Sequence, residues 1–380
     1  MNAPLEGVLV LDLSRVLAGP FCTMLLGDLG ARVVKVEHPG EGDVTRGWGP
    51  PYDAESGLSA YYLAVNRNKE SIAIDLAAPS GAESVRRLAA RADVLVENFP
   101  PGGLEKFGLA LADVRAANPR LVTASITGFG RRGPEATAPG FDLLAQAGGG
   151  LMAITGNPDG EPLKVGVAVS DLLAGCYAAI GILAMLAGRA RTGRGGHVET
   201  DLFSATVASL INVAQTALLT GKEAARHGNA HPQIVPYRTF EASDGAFVLG
   251  VGTDRQFERL AALLGRADWA GPGGPFAANE ARVRRRAELE REISALLRSD
   301  TRAGWVSRCR AAGIPAGPVR GPLEALTSET ASALGAVVEA AGRRFVASPI
   351  RVEGCPAPVR FPPALDADGE RIRREFDLPR

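Results

Sequence analysis

Cysteine is scarce: there are four in 380 residues, and Cys22, Cys176, Cys309 and Cys355 stand far apart, in no disulfide or metal-ligand pattern. That excludes a disulfide-stapled scaffold and points to a reduced, cytoplasmic setting. No charge of one sign dominates, since 42 Lys plus Arg balance 42 Asp plus Glu, so no electrostatic grip on nucleic acid or an acidic membrane is expected. An anionic ligand must then be held by a local cluster. The opening MNAPLEGVLVLDLS has no basic region and meets an acid early, unlike a secretion signal. His227 and His231 lie four apart, but Gly228 and Pro232 break the helix that would aim both at one metal, so none is expected. Internal repeats and low-complexity tracts are also missing. What remains, 46% hydrophobic and 22% charged residues, is the balance of a compact soluble protein long enough for two domains.

One long apolar run does occur, KVGVAVSDLLAGCYAAIGILAMLAGRAR from 164 to 191, and it contains a single carboxylate, Asp171. Residues 165–169 are alternately small and β-branched, suiting a buried strand or extended approach. Ser170 is a good N-cap, and the proline-free stretch after it predicts a helix beginning at Asp171. A carboxylate in the first turn is stabilised by the positive helix end by about 0.3–2 kcal/mol. Two readings stay open: the acid merely complements the dipole, or it is an ionised, poorly hydrated nucleophile. A membrane span is a third, opposed by the lack of a second span and by the richness in Ala and Gly.

Strands over 8–13 and 32–37 flank a helix over 20–29, a βαβ unit. In dinucleotide-binding folds the first turn is G-x-G-x-x-G and an acid ending the second strand takes the ribose. Glu37 stands at that acid's place, but the turn reads Ser14-Arg15-Val16-Leu17-Ala18-Gly19-Pro20, without the glycine spacing. An ordinary NAD site is not expected. Further strands over 71–76, 94–97 and 121–126, with a helix over 81–92, predict a parallel, doubly wound sheet whose ligands collect at the carboxyl ends of its strands. Gly19, His38 and Asn98 each follow such an end. The loop 38–52 is rich in Gly and Pro and carries Arg46. After the central helix come a strand over 197–202, an apolar helix over 203–219, an irregular stretch 221–236, a hairpin over 240–249 and helices over 254–264, 281–297 and 302–312. The chain turns strand-like beyond Glu339, then proline-rich, and ends in a charged helix from Asp368.

The stretches LDLSRVLAGPFCTMLLGDLGARVVKVEHPGEGD, NRNKESIAIDL, ADVLVENFPPGGLEKFGL, PGFDLLAQAGGGLMAITG and VSDLLAGCYAAIGILA followed by TGRGG occur in this order over nearly the whole chain. Together they resemble the class III coenzyme A transferases, which include formyl-CoA and carnitine-CoA transferases and share a fold with 2-methylacyl-CoA racemases. The resemblance implies that Asp171 is the catalytic nucleophile, and that Arg15, Val16, His38, Ile74, Asn98, Phe99 and Lys106 contact coenzyme A. It implies an α/β fold with a doubly wound, Rossmann-like large domain (1–220, completed by 322–380), a smaller α+β domain (221–321) and an interlocked homodimer. No cofactor is bound permanently; coenzyme A thioesters are the substrates, and an acyl-CoA and a small carboxylic acid the partners.

Two departures select a branch. Racemases of this fold have a histidine where this chain has Phe141, and a phenyl ring cannot exchange protons. The formyl-CoA transferases have a run of glycines where this chain has Asn229-Ala230-His231-Pro232-Gln233, which is more similar to relatives using succinyl-CoA and short dicarboxylic acids. That segment and Gly148-Gly149-Gly150 are the expected coverings of the site. Arg46 is the first choice and Arg15 the second to hold a distal carboxylate, with Phe141 and Asp142 beside the substrate. The alternatives are a racemase-like proton-transfer enzyme, a non-catalytic acyl-CoA binder and an NAD-linked oxidoreductase.

Overall fold

The computed structural model of the protein describes residues 2–355 and 357–379. The chain divides into two units, one of Met1–Met152, Lys164–Glu223 and Glu329–Arg380, the other of Ala153–Leu163 and Ala224–Ser328. The return of 153–163 to the second unit has no counterpart in the sequence reading.

The first unit is built on six strands, β1 (Leu9–Asp12), β2 (Arg32–Glu37), β3 (Lys69–Ala73), β4 (Val94–Glu97), β5 (Val122–Thr127) and β6 (His197–Asp201). They are hydrogen-bonded in the order β3-β2-β1-β4-β5-β6, every pair parallel. Alternate side chains leave opposite faces, and both faces are apolar. Val10, Val33, Val94 and Val122 pack with Cys22 and Leu26 of helix Ala18–Asp28 and with Ala174, Ala178 and Ile182 of helix Val169–Thr192. Leu11, Val34, Ile72 and Leu95 pack on the other side with Val85 and Leu88 of helix Pro79–Arg91 and Ile372 of helix Gly369–Glu375. Burial on both faces is why these strands read as continuous Val, Ile and Leu runs rather than as alternating ones. The topology places a switch point between β1 and β4, where ligands of such sheets bind.

Three expected elements differ. Residues 165–169 form no strand, and the central helix already starts at Val169. The expected helix 203–219 is two, Leu202–Ser209 and Ile211–Thr220, bent by 79° where Ile211 adopts φ +43°. The expected helix 281–297 is likewise broken into Asn279–Arg284 and Arg286–Leu297. The central helix is long and apolar enough to cross a membrane by length and composition, yet its Ala-rich strip lies against the sheet.

In the second unit β7 (Tyr237–Ala242), β8 (Gly245–Gly250) and β9 (Ala316–Pro318) form an antiparallel sheet in that order. Phe240 lies opposite Phe247 in the β7–β8 hairpin. Phe247, Phe257, Trp269, Ile293 and Trp305 fill a core of their own.

Candidate active site

The turn leaving β1 is fastened to its neighbours almost atom by atom. Asp12 accepts hydrogen bonds from the Ser14 N–H at 2.9 Å, the Thr23 hydroxyl at 2.7 Å and the Lys69 ammonium at 3.1 Å. Burial by itself raises the Asp12 carboxyl, but the Lys69 and Lys35 charges overcome it and hold the group at about 2. Burial prevails at Lys69, whose ammonium is brought down to about 8. Asn98, just past β4, accepts from the Arg15 N–H at 2.8 Å and donates to the Arg15 carbonyl at 2.7 Å. The switch point is thereby closed by a side chain whose amide engages both the N–H and the carbonyl of one residue.

Beside this turn lies a cavity of ≈ 300 Å³ lined by Leu13, Arg15, His38, Ile74, Phe99 and Phe107, among others. Four residues expected around coenzyme A, Arg15, His38, Ile74 and Phe99, thus meet in one place. The Arg15 guanidinium lies 4.8 Å from the centre of the Phe99 ring, where the ring face attracts a cation. Asn98 backs the turn rather than lining the cavity, and Lys106 is exposed in the short turn beside it. Val16 faces the other way, onto a small cluster with Leu17, Met24, Val65, Tyr61 and Ala168.

That cluster borders Asp171. The acid sits in the first turn of Val169–Thr192, half-buried. Its carboxyl is pushed up to about 7, first by burial and then by the nearby Asp142 charge, against one stabilising hydrogen bond from the backbone N–H of Ala18. Two helix starts therefore point at one carboxylate: its own and that of Ala18–Asp28. The two helices approach closely, since a Cβ on Gly175 would lie 2.6 Å from the Ala18 carbonyl oxygen.

Ser170 does not cap this helix. Asp142 does, from another helix (Asp142–Gly148): one carboxylate oxygen accepts the Ser170 N–H at 2.8 Å and the other accepts from Gln146 at 2.7 Å. Gln146 in turn accepts the Val165 N–H at 2.8 Å, tying down the approach to the helix. The Ser170 hydroxyl instead accepts from Thr206 at 2.7 Å.

Two residues expected at the substrate already have partners within the chain. Arg46 is not a free cation: its guanidinium pairs with Glu37 at 2.8 and 2.7 Å and donates to the Tyr62 hydroxyl at 2.6 Å and the Pro363 carbonyl at 3.1 Å. Asp142 is a capping group with both oxygens engaged. Glu37 also accepts from the Ser71 hydroxyl at 2.6 Å and the Asp43 N–H at 2.9 Å, so it has no capacity left for a ribose. Phe141 is 64% exposed at the start of its helix. Gly149, expected in a covering segment, is a packing position, for a Cβ there would meet Ala145 oxygen and Thr206 at 2.7 Å.

Tyr61 was missed in the sequence. Its hydroxyl is pushed up to about 12, first by burial and then by the charges of Asp171 and Asp142, which places a neutral phenol beside the nucleophile candidate. Its ring meets Trp48 edge-on at 5.1 Å. In the sequence the pair is 13 residues apart across a Pro- and Gly-rich loop, with no periodicity to join them.

The family model described as CoA-transferase family III matches residues 5–369. A succinyl-CoA:glutarate CoA-transferase of Mus musculus is 46% identical over 316 residues, covering 83% of this chain and 72% of that protein. An acetyl-CoA:oxalate CoA-transferase of Acetobacter aceti is 37% identical over 381 residues, covering 100% and 97%. Among solved structures, a CAIB/BAIF family protein from Brucella suis superposes with a TM-score of 0.89 at 42% identity, covering 99% of this chain and 100% of that one.

Proposed function

The chain belongs to CoA-transferase family III, enzymes that move coenzyme A between carboxylic acids, and on that premise we propose that it uses Asp171 to transfer coenzyme A from succinyl-CoA to a short dicarboxylic acid. The observation that carries this reading is the turn 15–18. At one end Arg15 lines a cavity sized for part of a nucleotide, and at the other Ala18 donates to a half-buried carboxylate. An extended ligand with a nucleotide at one end and a thioester at the other spans such a turn. Arg15, His38, Ile74 and Phe99 hold the nucleotide end, Val16 and Asn98 shape the turn below the pantetheine, and Lys106 adds a cation outside.

The ionised Asp171 oxygen attacks the thioester carbonyl; the C–S bond breaks, coenzyme A leaves as thiolate and a mixed anhydride forms. The thiolate attacks the aspartyl carbonyl, releasing the donor acid as carboxylate and leaving an aspartyl thioester. The acceptor carboxylate attacks that thioester, expelling the thiolate again. Attack of the thiolate on the acceptor's acyl carbon then gives the new acyl-CoA and restores Asp171. No net proton is moved. The Ala18 N–H, already aimed at this carboxylate, is the donor proposed for the developing oxyanions. Water must be excluded from these hydrolysable intermediates, and the paired rings of Trp48 and Tyr61 are proposed for that role.

The acceptor class rests on the relatives, one named for glutarate and one for oxalate, both dicarboxylates. The interlocked homodimer is part of the same proposal. Ile180, Ile211, Leu218 and Leu219 are 60–81% exposed in the first unit, large apolar side chains of the kind that an association surface covers.

Incubation with succinyl-CoA, trapping with borohydride and peptide mapping tests the nucleophile. Reduction confined to the peptide holding Asp171, absent in Asp171→Ala, is the expected result; bound acyl-CoA without any adduct refutes it.

A further inference from the structure

Strand β2 and the segment after it contribute neither a substrate cation nor a ribose acceptor, yet Lys35, Glu37 and Asp43 are among the most deeply buried charged residues described. Their partners show what they hold. Val16 has φ +70°, a left-handed backbone that a β-branched side chain resists and keeps only when its surroundings impose it. Here they do. The Val16 N–H points between the two oxygens of Asp43, at 3.2 and 3.4 Å. The Lys35 ammonium donates to the Ser14 carbonyl at 2.8 Å and pairs with Asp43 at 3.0 Å, both side chains being 0% exposed. Asp43 is itself fixed by the Thr45 N–H at 3.0 Å and the Thr45 hydroxyl at 2.8 Å. With Asn98 on both sides of the Arg15 unit, the N–H groups of Ser14, Arg15 and Val16 and the carbonyls of Ser14 and Arg15 are all engaged by side chains.

Two residues beyond Val16, the Ala18 N–H meets Asp171. The helix that begins there has no side-chain cap from Leu17, and Pro20 offers no N–H. Its start is therefore aimed by the turn before it. We propose that Asp43, backed by Lys35, is a positioning residue that holds Val16 in its left-handed conformation and so directs the Ala18 N–H at Asp171. This rests on Asp171 as the nucleophile proposed above. The groups facing Asp171 are Asp142, Tyr61 and the Ala18 amide, and of these three the amide favours its ionised form.

The test compares wild type, Asp43→Ala, Asp43→Asn and the double variant Asp43→Ala with Val16→Gly, using the single-turnover rate of Asp171 adduct formation with succinyl-CoA across pH and deuterium exchange of the peptide covering 14–21. In Asp43→Ala the rate falls roughly ten- to a hundredfold, its pH midpoint moves upward and the turn amides exchange faster. Glycine takes the left-handed conformation without a clamp, so the double variant recovers most of the rate and the midpoint. Asp43→Asn keeps an acceptor for the Val16 N–H; it retains the wild-type midpoint while losing stability through the unpaired Lys35, and serves where Asp43→Ala does not fold. A rate loss with unchanged midpoint and no rescue by glycine overturns the proposal, as does a shifted midpoint in Asp43→Asn with unchanged turn exchange. If wild type forms no adduct, the nucleophile reading fails by itself, and unchanged exchange in Asp43→Ala then refutes the positioning role independently.

Discussion

Asp171 is held between opposing effects: burial and Asp142 favour its neutral form, one amide favours its anion, and the outcome lies near 7. Because the proposed nucleophile is the anion, turnover under saturating acyl-CoA is expected to rise with pH through about 7, and a pH–rate profile measures the midpoint. In Asp142→Asn the helix cap keeps an oxygen but loses its charge, so the midpoint moves to lower pH; an unmoved midpoint would assign the whole effect to burial. The same shift has a cost in stability. The folded carboxyl binds its proton more tightly than an unfolded one, whose ordinary value is 3.8, so stability is lost as pH rises from about 4 to about 7 and stays lost above. Asp171→Asn removes this penalty. With the screening of a half-buried group allowed for, the gain is on the order of 1 kcal/mol, about 1–2 °C in Tm at pH 8 for a chain of this length and none near pH 4, readable by thermal melts at the two pH values. An inactive variant more stable than its parent marks a residue kept for chemistry.

The central helix and the helix Ala18–Asp28 cross where Gly175 leaves room for the Ala18 carbonyl. Gly175→Ala brings a methyl carbon to within 2.6 Å of that oxygen, which is expected to cost about 1–3 kcal/mol in denaturant unfolding and to lower turnover further by displacing the Ala18 amide. At this scale the sequence was most legible. The bounds 32–37 and 94–97 match strands β2 and β4 to the residue, because buried parallel strands concentrate β-branched residues between turn residues. It was least legible where tertiary contacts override periodicity. No glycine or proline announces the bend at Ile211, and the apolar pattern runs through it unbroken. The cap on Asp171's helix comes from Asp142, 28 residues before the capped Ser170, whereas Ser170 satisfies every local rule for an N-cap. Arg46 looked like a free guanidinium in a loop because its partner Glu37 lies at the end of a strand, and an acid at that place has a well-known use in other folds. The family motifs, by contrast, singled out four residues that do share one cavity, which spacing alone had not joined.

For the whole molecule, the exposed Ile211, Leu218 and Leu219 make association measurable. Sedimentation of the wild type is expected to give a dimer, and Ile211→Asp with Leu218→Asp a smaller, less soluble species; a monomeric wild type refutes the homodimer. The strand order β3-β2-β1-β4-β5-β6 is the order of dinucleotide-binding sheets, which makes conversion into a dehydrogenase look like a matter of grafting glycines into the turn 14–20. Glu37 forecloses it. Its oxygens are taken by Arg46, Ser71 and the Asp43 amide, so an installed glycine turn would meet a ribose site that is already full. A designer would have to dismantle the Arg46 and Asp43 anchors together, and Asp43 also braces the turn being redesigned. Two enzyme lineages can share every strand of this sheet and still have no single-step path from one to the other.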